Sequence, residues 1–320
     1  MQTKLIRSLY NIRPKHRGGV MTIGNFDGVH QGHQALVARV INKAKEWQVP
    51  SLVVTFEPHA FEFFGGDQLS IPRLTRLREK LTALASCGVD YVLVLPFNQA
   101  LADISAASFV NKILSEQLQI KAVIIGDDFH FGYQRQGDFA LLQTMGQKLG
   151  FSVEAMPTIL IENERVSSTR VRKALAEGNH ELVKQLLGRA YTLQGRVRWG
   201  DQRGRAWGFP TLNIFLHRQL TPLTGVYTVR VYGVTNADCQ QEKAWPGVAN
   251  IGIRPTVDGT RALLEVHLLD FDQDVYGRYV VVEFCEKLRD EKRYPSIELL
   301  KEQIANDVLA ARHYFQKWSV

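Results

Sequence analysis

Two histidines three residues apart, His30 and His33, sit in the stretch VMTIGNFDGVHQGH that runs from Val20 to His33. Imidazoles donate hydrogen bonds that tighten as negative charge grows on a reacting phosphoryl group, so the pair points to phosphate chemistry. Their surroundings agree with this. Val20 to Ile23 is a short apolar run of strand character, Gly24 ends it, and Asn25 to Gly28 form a tight polar turn. Leu36, Val37, Val40, Ile41 and Ala44 then recur at helical spacing between about Gln31 and Glu46. The histidines therefore open a helix, on one face, beside unpaired N–H groups and the positive end of the dipole. Gly32 leaves space for a nucleotide to lie close to the backbone.

A second place for chemistry lies far along the chain, in LLEVHLLDFDQDVYG. Along a strand Leu264, Val266 and Leu268 face a core, while Leu263, Glu265, His267 and Leu269 face the other way. A carboxylate on that free face suits a general base taking a proton from an alcohol as it attacks a phosphoryl group, although the pattern alone favours a solvated strand Glu. Upstream, GDQRGRAWGFPTLN from Gly200 to Asn213 combines a glycine-bearing loop with Pro210, Thr211 and Asn213, and holds no G-x-x-x-x-G-K-[ST] phosphate loop.

Bulk properties bound these readings. The 320 residues suit two domains better than one core, and 45% hydrophobic with 22% charged residues excludes a disordered chain. A net charge of +7 favours anionic partners without choosing among nucleotides, nucleic acid and a membrane surface. Cys87, Cys239 and Cys285 are odd in number and widely spaced, so neither a disulfide framework nor a structural zinc site is expected. With no apolar leader and no run approaching the ~20 residues of a membrane helix, a cytoplasmic protein without membrane association is expected.

Strand-like runs at Ser51 to Phe56, Tyr91 to Leu95, Ala122 to Ile125 and Phe151 to Ala155 alternate with helical stretches at Leu74 to Ala85, Ser105 to Leu118 and Phe139 to Leu149. Such alternation gives an α/β domain with a parallel sheet, and right-handed crossovers bring every strand's C-terminal end to one edge. That edge collects Gly24 to His33, then Thr55 to His59, then GDDFHFG from Gly126 to Gly132. Phe129 and Phe131 offer flat apolar surface for a ring system, and Asp127 and Asp128 offer acceptors for ribose or adenine. FEFFGGDQLSIPR, Phe61 to Arg73, reads as an unusually long loop that suits a flap. In ERVSSTRVRKAL, Ser168 or Thr169 suits a helix cap with Arg172 in reach of an anion held there.

Helical patterning ends near Leu187, and from Tyr191 the chain reads as short strands: Gly195 to Trp199, Gly225 to Tyr232, Gly247 to Ile253, Leu263 to Leu269 and Tyr279 to Phe284. An antiparallel barrel or sandwich follows, closed by a helix with Ile297, Leu300, Ile304, Val308, Ala311 and Phe315 on one stripe. Domains at 1–187 and 188–320 are expected. No strand alternates aromatic with basic residues, so RNA binding is not expected.

G-x-F-D-G-V-H-x-G-H resembles the signature of nucleotidyltransferases related to class I aminoacyl-tRNA synthetases, and this wording resembles the FAD synthetase half of the bacterial bifunctional riboflavin kinase/FAD synthetases. S-S-T-x-V-R at Ser167 to Arg172, G-F-P-T-x-N at Gly208 to Asn213, E-V-H-L-L-D at Glu265 to Asp270 and LRDEKRYPS at Leu288 to Ser296 resemble further motifs of that family, in its order. The resemblance runs from about Met21 to Lys301. It implies a Rossmann-like adenylyltransferase domain that makes FAD and pyrophosphate from FMN and ATP, and a barrel domain that phosphorylates riboflavin with Mg-ATP. It implies His30, His33, Arg172 and Glu265 as catalytic residues. ATP and its phosphates would meet Gly24, Phe26, Asp27, Gly32, Asp128, Arg165, Ser168 and Thr169 in the first domain and Gly200, Gly204 and Arg205 in the second. Flavin would meet Phe56, Phe64 and Phe129, with Phe63 and Arg76 as neighbours, and in the second domain Arg289 and Glu291. Thr211 and Asn213 would help place Mg2+ on the ATP phosphates, hard oxygen ligands of the kind that ion accepts.

The partners implied are riboflavin, FMN and ATP, with no nucleic acid, no membrane and at most weak self-association. Two rivals are another H-x-G-H adenylyltransferase with a β domain that only binds, and a nucleic-acid-binding regulator on an inactive synthetase fold. The P-T-L-N and E-V-H pair speaks against the first, and intact His30, His33, Arg172 and Glu265 against the second. Ala60, Trp207 and Leu212 depart from the family's usual proline, smaller aliphatic and alanine, and the last two add bulk beside the expected metal position.

Overall fold

The computed structural model describes residues 2–65, 71–200, 204, 207–218, 220–235, 243–256 and 259–317, with side chains 254–256 and 259–261 left aside. Arg205 lies outside the described residues. By contact the chain forms two compact units, Met1–Ile71 with Thr75–Ser168, and Pro72–Leu74 with Thr169–Val320.

The first unit is built on six parallel strands: β1 (Lys4–Arg7), β2 (Val20–Ile23), β3 (Ser51–Glu57), β4 (Tyr91–Pro96), β5 (Ala122–Gly126) and β6 (Ser152–Met156). Their order is β1-β4-β3-β2-β5-β6. Strands buried on both faces must be apolar throughout, and β2 is buried at all four positions. Alternate residues feed two layers. Val53, Ala122 and Ile124 pack under Leu36, Val37, Val40 and Ala44 of α1 (Gln31–Glu46). Leu52, Val54, Val123 and Ile125 pack under Phe109, Val110, Ile113 and Leu114 of the wide π-type helix Phe109–Gln117. Each such Val, Leu, Ile or Phe side chain contributes about 1.5–3 kcal/mol of burial.

The chain steps leftward from β2 to β3 and β4, then returns to place β5 on the far side of β2. That reversal opens a crevice beyond the C-terminal ends of β2 and β5, which is where ligands bind in such sheets.

Two differences from the sequence reading have simple causes. Strand β1 was not expected, because as an edge strand it buries only Ile6. Phe61 does not begin a loop: α2 (Ala60–Gly65) forms there, and the next helix, α3 (Leu77–Ser86), starts three residues later than the periodicity suggested. Arg76 caps α3 and Glu79 completes a capping box, which frees Thr75 for other work. Three further helices, α4 (Gln99–Ala102), α5 (Ala106–Ser108) and α6 (Phe139–Leu149), and the small hairpin β7 (Leu160–Ile161) with β8 (Glu164–Arg165), complete this unit.

In the second unit α7 (Ser168–Ala176) and α8 (His180–Leu187) lead to a closed antiparallel barrel, β10-β13-β12-β11-β14-β9. The strands are β9 (Thr192–Arg198), β10 (Leu212–Phe215), β11 (Gly225–Tyr232), β12 (Trp245–Thr256), β13 (Gly259–Leu268) and β14 (Tyr279–Arg289). Closure removes exposed edges. Leu264, Val266, Ala249, Ile251, Val229 and Val282 are wholly buried inside. The C-terminal helix, Ile297–Lys317, lays Val308, Ala311 and Phe315 on Val226, Val248 and Leu269 of the opposite face. Glu265, half-buried on β13, lines one cavity with Leu300, Ile304 and Val308 of that helix.

Candidate active sites

Beyond β2 the backbone turns sharply. Phe26 and Val29 take left-handed φ values of 49° and 44°, with Gly28 at 83°. Such values are costly for an aromatic and a β-branched residue, on the order of 1–2 kcal/mol each, and persist only where the surroundings impose them. Here the imposition is visible. Asp27 accepts from the Thr75 N–H and hydroxyl at 3.0 and 3.2 Å, Thr75 accepts from the Gly28 N–H at 2.9 Å, and Ser168 donates to the Asp27 carbonyl at 2.8 Å. Asp27 and the Phe26 ring are buried, so what this turn offers a ligand is chiefly its backbone. Thr75 had no signal of its own in the sequence, because its partner lies 48 residues away.

His30 caps α1: its Nδ1 accepts the His33 N–H at 3.4 Å. The two rings stack, centroids 3.7 Å apart and 15° from parallel. The space freed at Gly32 is shared with that arrangement, since a Cβ there would stand 3.3 Å from the His30 ring. His33 packs on Phe26 at 5.0 Å, and its Nδ1 is buried without a partner, as are Thr22 Oγ1 and Asn25 Oδ1. Burial, then His30, then Lys80 hold the His33 pKa well below its ordinary 6.5, so the ring is neutral at neutral pH. Lys80 is itself wholly buried, with Nζ donating to Thr55 Oγ1 at 3.3 Å.

At the end of β5, Asp128 pairs with Arg165 at 2.6 Å and Asp127 accepts from Thr158 at 2.6 Å. Phe129 stacks on the buried Phe131 at 5.5 Å, so of this pair Phe129 is the ring less enclosed by the core. Next to the ends of β3 and β4, Phe97 meets Phe56, Phe63 and Phe64 at 5.8, 5.4 and 5.6 Å, and Phe64 remains 66% exposed. Thr169 and Arg172 belong to the second unit, where Arg172 Nε donates to the Pro72 carbonyl at 2.7 Å.

The barrel carries a cavity of about 590 Å³ on its helix-covered face. Register assembles its polar wall: Asn213 on β10 stands opposite Glu265 on β13, which stands opposite Asn250 on β12. Thr211, His267, Gly200, Gly204, Arg289 and Glu291 line the same cavity. His267 is fixed by a 2.8 Å contact from Nδ1 to the Pro210 carbonyl. Gly200 lies so close to Asn213 that a Cβ would stand 2.5 Å from the amide carbon, so only glycine lets that side chain settle there. Likewise Glu291 packs on bare Gly252 and accepts from Asn250 Nδ2 at 3.4 Å.

Thr211, Asn213 and Glu265 offer a hydroxyl, an amide oxygen and a carboxylate. All are hard oxygen donors, the sparse set that suits Mg2+ arriving with phosphate oxygens. Among the described residues no cluster of three or more His, Cys, Asp or Glu is placed to hold a metal unaided. Trp207 and Leu212 flank this region, and Trp207 lines the cavity.

The sequence reading missed β10, because its four residues begin at the end of GFPTLN, just after Pro210. Asn250 and Asp307 were missed as well. The only local sign of Asp307 was an acid between Ile304 and Val308 on the apolar stripe.

Comparison with known proteins places both halves. The FAD synthetase family matches residues 12–170 and the riboflavin kinase family residues 187–315. The bifunctional riboflavin kinase/FMN adenylyltransferase of Escherichia coli (strain K12) is 47% identical over 313 residues, 98% of each chain. That of Pseudomonas fluorescens is 51% identical over 310 residues, 97% of each. A crystal structure called a macrolide-efflux protein, from Streptococcus pneumoniae, is similar with a TM-score of 0.79 and 29% identity over 98% of this chain and 99% of that one. No described helix of the present chain is long and apolar enough to cross a membrane.

Proposed function

The chain belongs to the bifunctional riboflavin kinase/FMN adenylyltransferase family, and from that premise we propose how its two sites act in succession on one flavin. The barrel unit phosphorylates riboflavin with ATP to give FMN. The parallel-sheet unit joins FMN to the AMP moiety of a second ATP, releasing pyrophosphate and FAD. Functional domains at 1–187 and 188–320 follow, in the cytoplasm.

In the kinase site Glu265 takes the proton from the primary hydroxyl of riboflavin as its oxygen attacks the γ-phosphorus of ATP and ADP leaves. Thr211 and Asn213 would hold Mg2+, which when bound neutralises phosphate charge. Gly200, Gly204 and Arg205 bear on the nucleotide, and Arg289 and Glu291 on the flavin.

In the adenylyltransferase site the FMN phosphate attacks the α-phosphorus directly. His30, His33 and the start of α1 stabilise the charge that gathers on the crowded phosphorus, and positioning supplies much of the rest. Gly24, Phe26, Asp27 and Gly32 form the floor under the phosphates. Asp128, Arg165, Ser168, Thr169 and Arg172 serve the nucleotide, and Phe56, Phe64 and Phe129 the flavin ring.

One observation carries the kinase half: Glu265 and Asn213 are cross-strand neighbours lining one cavity with Thr211. Incubating purified protein with riboflavin, ATP and Mg2+ and separating the products should yield FMN, then FAD. His30→Ala should stop FAD formation while sparing FMN formation, and Glu265→Gln should stop FMN formation while sparing FAD formation from added FMN. Loss of both activities in either folded variant refutes two independent sites.

A further inference from the structure

Arg289 enters the cavity wall at the end of β14, but its guanidinium is largely engaged within the protein. Nε donates to both carboxylate oxygens of Asp307 at 3.0 and 3.1 Å, Nη2 donates to Asp307 Oδ2 at 2.8 Å, and Nη1 donates to the Asp290 carbonyl at 3.1 Å. Of the five N–H groups of an arginine, one remains on each terminal nitrogen. Asp307 is only 5% exposed, lies on the C-terminal helix, and also accepts from Gln303 Nε2 at 2.9 Å. Arg289 further stands over the Tyr294 ring at 5.7 Å, and Arg289, Tyr294, Asp307, Leu300, Ile304 and Val308 all line the same cavity.

A carboxylate removed from water is costly unless its partner geometry is good, and the forked pairing with arginine is the geometry that offsets the cost. A tie between strand and helix needs no such arrangement: Val308, Ala311 and Phe315 already bury the helix on Val226, Val248 and Leu269. What the pair adds is orientation. It fixes the plane of the Arg289 guanidinium, and with it the direction of the two remaining N–H groups, in a cavity that the C-terminal helix also lines.

We infer that Asp307 is a positioning residue of the kinase site: it orients Arg289 from the C-terminal helix so that the remaining guanidinium N–H groups meet the polar atoms of the flavin. The inference rests on the kinase reading given above. Asp307 touches no substrate and transfers no proton.

The test uses the full chain. Asp307→Asn keeps the size of the side chain and removes the charge. Riboflavin KM should rise about tenfold, the worth of one charge-assisted hydrogen bond, with a smaller change in kcat and none in the conversion of added FMN to FAD. Asp307→Glu keeps the charge but moves the carboxylate by one methylene, so it should raise riboflavin KM severalfold while leaving the melting temperature near that of the parent. Asp307→Asn combined with Arg289→Lys should be no worse than the poorer single variant. A folded Asp307→Asn or Asp307→Glu protein with parental riboflavin KM overturns the inference, whatever its melting temperature. If the parent protein itself formed no FMN, the kinase reading would fall instead.

Discussion

Replacing Gly200 by alanine should separate the effect of position from that of chemistry, because it adds a methyl group and removes no functional group. The new Cβ would stand 2.5 Å from Asn213 Cγ and 2.7 Å from Oδ1, where an ordinary contact is about 3.5–4.0 Å. Asn213 cannot yield cheaply. Its backbone is held between Arg198 and Glu265 on neighbouring strands, and its short side chain is buried. The amide must therefore retreat by about 1 Å, a displacement that costs on the order of 100-fold in rate when it misplaces a catalytic group, or about 2.7 kcal/mol of transition-state stabilisation. Gly200 does not hold a left-handed φ, so the backbone itself accepts alanine. Initial rates of riboflavin phosphorylation at saturating ATP and Mg2+ should fall about 100-fold, while the same preparation converts added FMN to FAD at the parental rate and stays folded with a lowered melting temperature, since overpacking a buried side chain costs about 1–3 kcal/mol. A folded Gly200→Ala protein with full kinase activity would show that the Asn213 amide does not need this position. Gly252→Ala provides a contrast: its Cβ would meet Glu291 at 2.5 Å, but that longer, exposed side chain can swing aside, so a smaller loss is expected.

Three further outcomes follow from other parts of the molecule. Burial lowers the pKa of His33, His180 and His16, so in each case the unfolded chain binds a proton that the folded one refuses; stability is full above about pH 6.5 and declines by up to about 1.4 kcal/mol per pH unit per group as pH falls below it, which chemical denaturation at pH 7.5, 6.0 and 5.0 should register. Phe64→Ala should raise the KM for FMN in FAD synthesis with no change in melting temperature, because the ring is two-thirds exposed and borders Phe63 and Phe97. Arg165→Ala breaks a solvent-exposed pair with Asp128 and should leave stability unchanged while raising the KM for ATP in the same reaction.

Long periodic elements could be read from the sequence because each residue's environment followed from its neighbours. Leu36, Val37, Val40 and Ala44 gave α1 its bounds, and the alternation at Leu264, Val266 and Leu268 gave the face that carries Glu265. What escaped depends on distant partners. Thr75 makes sense only beside Asp27, and nothing near Arg289 in the sequence signals that Asp307, 18 residues on, holds its guanidinium. β10 was hidden because four residues after a proline carry too little pattern, although the barrel closes through them. The motifs named the candidate residues of both sites; the burial of Phe26 and Asp27 and the company of His33 required the fold.

The cap on α1 reaches into tautomer chemistry. An imidazole nitrogen that accepts an N–H carries no proton of its own, so the bond from the His33 amide to His30 Nδ1 assigns the single hydrogen of a neutral His30 to Nε2. The helix thereby selects, before any nucleotide arrives, which edge of the ring is able to donate.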